Sequence, residues 1–448
     1  MDGFETLTAD IRAVRHTSVI GRVAEIGRGM LQVTGLSHTA RLGDRVLIGP
    51  ARAVRIGGEV TRLSPGIAGI MPDQALEGAA IGEAVELVGR SDIHPHDGWI
   101  GRVVDAFGRP LDGRPLPRGP ARSLRSPPPA AAERRPLGPR LATGMAAFDT
   151  LLPLVRGQRM GLFAGSGVGK SALLARFARG VTADVVVIAL IGERGRELRE
   201  FTERVLGPEG MSRAVVVAAT SDQSPLIRRR AAWAAMAVAE HFRDAGRHVL
   251  FLADSITRFA EAHREIAVAS GEEAGLRGWP PSLSHMIMSL AERAGPGPEG
   301  MGDITAVLSV LVPGSDMEDP VADILRGVLD GHVVLDRAIA ERGRFPAVDL
   351  LRSVSRSLPD AASEEENALI SRARALLSAH ARAELMLQAG LYSAGSDPMV
   401  DAAVKVWPAL DAFLSEPAPG DPEASFTRLR QCLGPAGQSR PAPHPMPA

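Results

Sequence analysis

The stretch RMGLFAGSGVGKSALLARF, residues 159–177, limits what this chain can fold into more than any other. An apolar run ends in a loop with three glycines, Gly165, Gly167 and Gly169, and a helical run follows at once. Glycine at that density lets consecutive amides turn inward around an anion, and the start of the helix adds its own unpaired amides. Within Gly165-Ser166-Gly167-Val168-Gly169-Lys170-Ser171-Ala172, Lys170 offers a compact ammonium to the outer phosphates of a polyphosphate, and Ser171 a hydroxyl for Mg²⁺. The strict spacing has a glycine where Ala164 stands, a small departure. Strand, loop, Lys-Ser and helix agree with one another, which a merely flexible turn would not require.

The basic residues sharpen this reading. Of 51, 49 are arginine, and the lysines are Lys170 and Lys405. A codon-level drift toward arginine explains the skew without invoking function. Lys170 nevertheless persists where arginine's planar fork cannot replace an ammonium. Lys405, in DAAVKVWPAL, has no comparable reason to be lysine.

With 448 residues, 45% hydrophobic and 23% charged, the chain has material for two or three domains with a proper core. Its formal net charge of -1 excludes attachment to nucleic acid by bulk charge. The lone Cys432 excludes intrachain disulfides and multi-cysteine metal sites, fits a reducing compartment and reads as a spectator. The N-terminus has acids where a signal peptide has its apolar core, and no apolar run approaches the roughly 18 residues of a membrane span. The expected location is the cytoplasm.

Composition shifts divide the chain. After a segment over residues 1–17, short apolar runs cut by glycine over 18–90 predict a small antiparallel barrel or sandwich. Residues 91–357 hold the α/β pattern, interrupted by a Pro/Arg-rich connector at 115–139. The runs RMGLFA, DVVVIALIG, AVVVAAT and HVLFLAD are continuous enough for a parallel sheet covered on both faces. Residues 358–433 are helical, with Leu369, Ile370, Ala373, Leu376 and Leu377 at 3–4 spacing behind Ser363 and three acids. The proline-rich stretch 434–448 has no apolar periodicity and is expected to be disordered.

A phosphate loop needs carboxylates. Asp254 ends HVLFLAD, where an open α/β sheet collects its ligands, and is the candidate metal carboxylate beside Ser171. The same position would also suit a simple cap for the next helix. Glu193, in IGERGRE after another strong strand, is the candidate water-activating base, with Arg194 next to it.

Taken together, AGSGVGKS, IGERGRE, FLADSITRFAEAHRE, RGWPPSL, DPVADILRGVLDGHVVLDR and GRFPAVDLLRSVSR resemble the F-type ATP synthase catalytic family, in its flagellar and type III secretion export ATPase branch. The similarity runs in order from Ser18 to Leu414. It implies a RecA-like parallel-sheet ATPase core, an N-terminal β-barrel, a C-terminal helical domain, a homohexameric ring, and ATP with Mg²⁺. By the same resemblance Lys170, Ser171 and Asp254 hold phosphate and metal, Glu193 polarises the attacking water, and Phe345 stacks on adenine where the family usually has tyrosine. Arg356 in SVSR matches the arginine inserted into a neighbour's site. Implied partners are a stator-like regulatory protein at the N-terminus, a central stalk protein, export-gate membrane proteins, and export substrates with their chaperones. Nucleic acid is not among them. The resemblance also implies peripheral association with the export apparatus at the inner membrane. In the synthase, glutamate and arginine sit on different subunit types, whereas this one chain carries both.

Flagellar export is the preferred reading, with virulence secretion as the alternative. A hexameric RNA translocase also uses a RecA core behind a small β-domain, but only Phe4 precedes Trp99 as an aromatic for base stacking. A rotary synthase subunit is the third reading. Gly278, Trp279, Pro280, Pro281, Ser282 and Leu283 depart from the family's usual loop, and AELM replaces an acidic pair. His94 and His96 read as a solvated turn, Arg228, Arg229 and Arg230 as a solvated helix face, and Phe4 to Val14 as a weakly amphipathic segment for a partner or membrane surface.

Overall fold

The computed structural model describes residues 17–434 except 28, 51–53, 313–316 and 419; the segment from Phe4 to Val14 and the stretch after Gly434 lie outside the described residues. The glycine-cut runs near the N-terminus form six strands, Val19–Gly27, Met30–Thr34, Arg45–Ile48, Ile56–Ser64, Ile67–Pro72 and Ala84–Gly89. They close into a barrel in the order first, second, fifth, fourth, third, sixth, so no edge remains for pairing with another chain. Alternate residues point inward, and Val23, Leu31, Val33, Val60, Ile70 and Val85 fill the interior. Gly21 permits the crossing of the first two strands, because a Cβ there would lie 2.6 Å from the Thr34 carbonyl oxygen.

The core is a sheet whose successive neighbours are Val348–Ser355, Gly331–Leu335, Arg159–Ala164, Asp303–Leu311, Val249–Asp254, Val185–Glu193, Ala214–Thr220 and Arg102–Asp105. Along this path every pairing is parallel except that of Val348–Ser355 with Gly331–Leu335. Parallel strands need covered faces, and both are covered. Against one face lie the helices Pro225–Asp244, Ile256–Ala269, Ser282–Ala291 and Pro320–Val328. Against the other lies Lys170–Gly180, whose apolar contacts continue into the C-terminal helices Glu364–Gln388, Pro398–Phe413 and Pro422–Leu433. No helix among the described residues is long and apolar enough to cross a membrane.

Helix starts follow local chemistry. Ser363 and Glu366 form a reciprocal capping box at the head of Glu364–Gln388. Asp319, Asp397 and Asp421 each accept from a first-turn amide of a helix whose first residue is proline. Lys405 is exposed on Pro398–Phe413.

The expectation of a solvated arginine face is corrected. Arg229 and Arg230 are 6% and 4% exposed, because the barrel packs on their helix. Arg229 donates to Glu59 of the barrel at 3.0 Å, and Arg230 donates to the Ala106 carbonyl at 2.9 Å and covers the Phe107 ring. Only Arg228 reaches an exposed partner, Glu265. His96 is exposed and accepts from the Gly98 amide, while half-buried His94 contacts the Gly119 carbonyl. No group of three metal-ligating side chains occurs among the described residues.

Candidate active site

The glycine loop leaves the C-terminal end of Arg159–Ala164, which places it where three parallel strands finish together. Gly167 and Gly169 have φ of 78° and 86°, a region that disfavours side chains. Ala164 needs no such freedom. It is still paired in the sheet, opposite Leu311 and Leu335, which explains why alanine is tolerated there. Gly169 is the N-cap of Lys170–Gly180, and no side chain caps that helix. Its first amides therefore stay directed at the loop, with the positive end of the helix dipole behind them.

The two predicted carboxylates converge on Lys170. Asp254, 3% exposed, forms an ion pair with the Lys170 ammonium, and Glu193 Oε1 lies 4.0 Å from the same nitrogen. Their strands are neighbours, with Leu190 in register with Asp254. The capping alternative for Asp254 fails, because Ser255 supplies the helix cap by accepting from the Arg258 amide. Burial first, and then the nearby Asp254 carboxylate, push the Glu193 carboxyl up to about 7, with Lys170 opposing the shift. A cavity of 230 Å³ opens here, lined by Ser171, Glu193, Glu197, Phe201 and Asp254 among others.

The donors suit a hard cation. The Ser171 hydroxyl and the Asp254 carboxylate both offer oxygen, as Mg²⁺ prefers, and the acidic pair already holds one cation in the Lys170 ammonium.

Phe345 borders the loop from the other side. A Cβ on Gly169 would sit 3.1 Å from its ring, and the ring is 44% exposed. Arg194 points outward, 75% exposed, and pairs with Glu197 at 3.0 Å. Arg356 does not enter this chain's own site. Val348 pairs with Leu335 at the glycine-loop end of the sheet, and Ser355 pairs with Gly331 at the opposite end. The five residues from Gly331 to Leu335 span about 13 Å. There Arg356 is exposed and donates to the Arg326 carbonyl at 3.0 Å.

Three neighbours of the cluster went unread in the sequence. Ser309 donates to Asp254 Oδ1 at 2.8 Å. Glu197 hydrogen-bonds Glu193, which lowers its own pKa. Arg258 packs so closely on Gly192 that a Cβ there would meet its side chain at 3.2 Å. Ser309 carried a usable signal, a hydroxyl inside the apolar strand DITAVLSVL.

Known proteins bear on this arrangement. Residues 144–355 match the ATP synthase alpha/beta family, nucleotide-binding domain, and residues 362–431 match the T3SS EscN ATPase C-terminal domain. The flagellum-specific ATP synthase of Caulobacter vibrioides is 43% identical over 441 residues, covering 97% of this chain and 98% of that one. That of Salmonella typhimurium is 42% identical over 93% of each chain. The assembled ATPase EscN of the enteropathogenic E. coli type III secretion system superposes with a TM-score of 0.87 at 36% identity, over 92% of this chain and 100% of that one. With likeness running through the nucleotide-binding core and the helical C-terminal domain alike, the chain belongs to the ATP synthase alpha/beta family and is an ATPase of its flagellar and type III export branch.

Proposed function

We infer that the chain works as a homohexameric ring that hydrolyses ATP to energise and dock substrates for flagellar type III protein export. The observation that carries the ring is the placement of Glu193 and Arg356 at opposite ends of one sheet. A chain that cannot bring its own arginine to its own glutamate completes the site by supplying Arg356 to a neighbour, and identical chains can do so around a closed cycle. The flagellum-specific relative matches at 43% identity against 36% for EscN, which favours the flagellar system over virulence secretion.

In this reading the loop amides and Lys170 hold the phosphates of ATP, and Lys170 leaves Asp254 to do so. Ser171 and Asp254 hold Mg²⁺, which when bound offsets charge on the phosphate oxygens. Glu193, deprotonated above about pH 7, orients a water molecule toward the γ-phosphate and draws on its proton. Arg194 flanks it on the outer side, and Phe345 stacks on adenine. Arg356 from the adjacent chain meets the charge that builds up during transfer, a contribution of about 10³ to 10⁵ in rate. EscN has been solved with its central stalk EscO, and we extend a stalk partner to this ring. A regulatory protein at the N-terminus, export-gate proteins, and substrates with chaperones complete the proposed setting at the cytoplasmic face of the export apparatus.

The test mixes two inactive variants, Glu193→Gln and Arg356→Ala. Random assembly pairs an intact Glu193 with a neighbour's intact Arg356 at roughly one site in four, so ATPase activity returns on mixing. Assembled mixed rings with no activity would refute the shared site.

A further inference from the structure

Asp254 Oδ1 accepts from two side chains, the Lys170 ammonium and the Ser309 hydroxyl at 2.8 Å, and no other side chain among the described residues donates to that carboxylate. Ser309 is 0% exposed, on the strand between the one that leads into the glycine loop and the one that ends at Asp254. It pairs with Leu162, and its predecessor Leu308 pairs with Ala253, so its position is set by sheet register on both sides. The two donors differ in what happens to them during the reaction. Lys170 is required by the phosphates, and its charge would oppose that of a metal held at the same carboxylate. Ser309 is neutral, is fixed by the sheet, and has no role on the phosphates.

We propose that Ser309 is a positioning residue for the metal carboxylate: it holds Asp254 in place when Lys170 is drawn away to ATP, so that Mg²⁺ meets an oriented ligand. This rests on the reading of Asp254 as a metal ligand given above. A buried carboxylate that loses its only persistent donor is left poorly solvated and free to rotate, and groups that orient a metal ligand in this way change metal affinity by about 10- to 100-fold.

The test measures binding of a fluorescent ATP analogue to the full chain, in EDTA and across a Mg²⁺ titration, with thermal melting as the check on folding. For Ser309→Ala the Mg²⁺ concentration at half-saturation rises by about tenfold, while affinity in EDTA stays within about twofold of the parent. Ser309→Thr restores the hydroxyl and the parent titration. Ser309→Cys, similar in volume and a weaker donor, shifts the titration in the same direction by less; it carries the comparison if Ser309→Ala folds poorly. Equal loss in EDTA and in Mg²⁺ would mark a merely structural serine and overturn the proposal, as would an unchanged titration. Asp254→Asn separates the two levels. If it abolishes the Mg²⁺ effect while Ser309→Ala does not shift it, the serine proposal alone fails. If Asp254→Asn keeps the parent Mg²⁺ effect, the reading of Asp254 fails and takes the serine proposal with it.

Discussion

Glu193 shows how a single side chain acquires its properties from its surroundings. It stands at the end of a buried strand, close to Asp254 and Glu197, and Lys170, with Arg258 farther off, counters the crowding of negative charge. Its carboxyl is therefore half protonated near pH 7, and a base must be unprotonated to draw on water. We expect kcat/KM for ATP to rise through about pH 7 and level off above it; a flat profile between about pH 5.5 and 8.5 would contradict this. The stability consequence has a definite sign. Because the fold raises this pKa, the contribution of Glu193 to stability is present below its ordinary value near 4.5 and lost as pH rises through about 7. Glu193→Gln should accordingly raise the Tm of the nucleotide-free protein more at about pH 8 than at about pH 5. The identity of Glu193 as a candidate was legible from its place after a strong strand. Its altered acidity was not, because that depends on strands distant in sequence lying side by side.

At the scale of elements, apolar continuity was enough to find four strands of the parallel sheet, Arg159–Ala164, Val185–Glu193, Ala214–Thr220 and Val249–Asp254, but not Arg102–Asp105, Asp303–Leu311 or Gly331–Leu335. The capping box at Ser363 was readable from Ser, three acids and the apolar spacing behind them. The helix Pro225–Asp244 was misread at Arg229 and Arg230. Three consecutive arginines point around a helix, and whether any face is wet depends on what packs there. Here the barrel does, which leaves Arg229 buried against Glu59, with the pKa of its guanidinium drawn down to about 10 by burial. A buried pair is expensive to break from one side, since the partner is left charged and desolvated. Glu59 keeps only its longer contact with half-exposed Arg125 at 3.5 Å, so Arg229→Met should destabilise the protein by about 3 kcal/mol in denaturant titrations, and adding Glu59→Met should recover part of that loss. Equal stability of the single variant and the parent would mean that the pair does not hold the barrel to the core.

For the whole molecule, what matters is that the sheet sets its two most informative charged residues at opposite ends. The antiparallel strand Val348–Ser355 begins beside the glycine loop, near Phe345, and carries the chain away from it to Arg356. If, as proposed, neighbouring chains supply this arginine to one another, each site loses it on dissociation. ATPase activity per chain is expected to rise steeply with protein concentration and to fall by about 10³ or more on dilution below assembly. Activity per chain that stays constant across assembly would argue for a self-sufficient monomer. The sequence by itself determined the glycine loop with its lysine, the acids at the strand ends and the order of small β domain, sheet and helices, because glycine content, a lysine among arginines and apolar periodicity act over a few residues. Only the tertiary structure decided that Ser309 touches Asp254, that Arg229 is buried and that Arg356 lies out of reach of its own site, because sheet order and register, not spacing along the chain, set those distances.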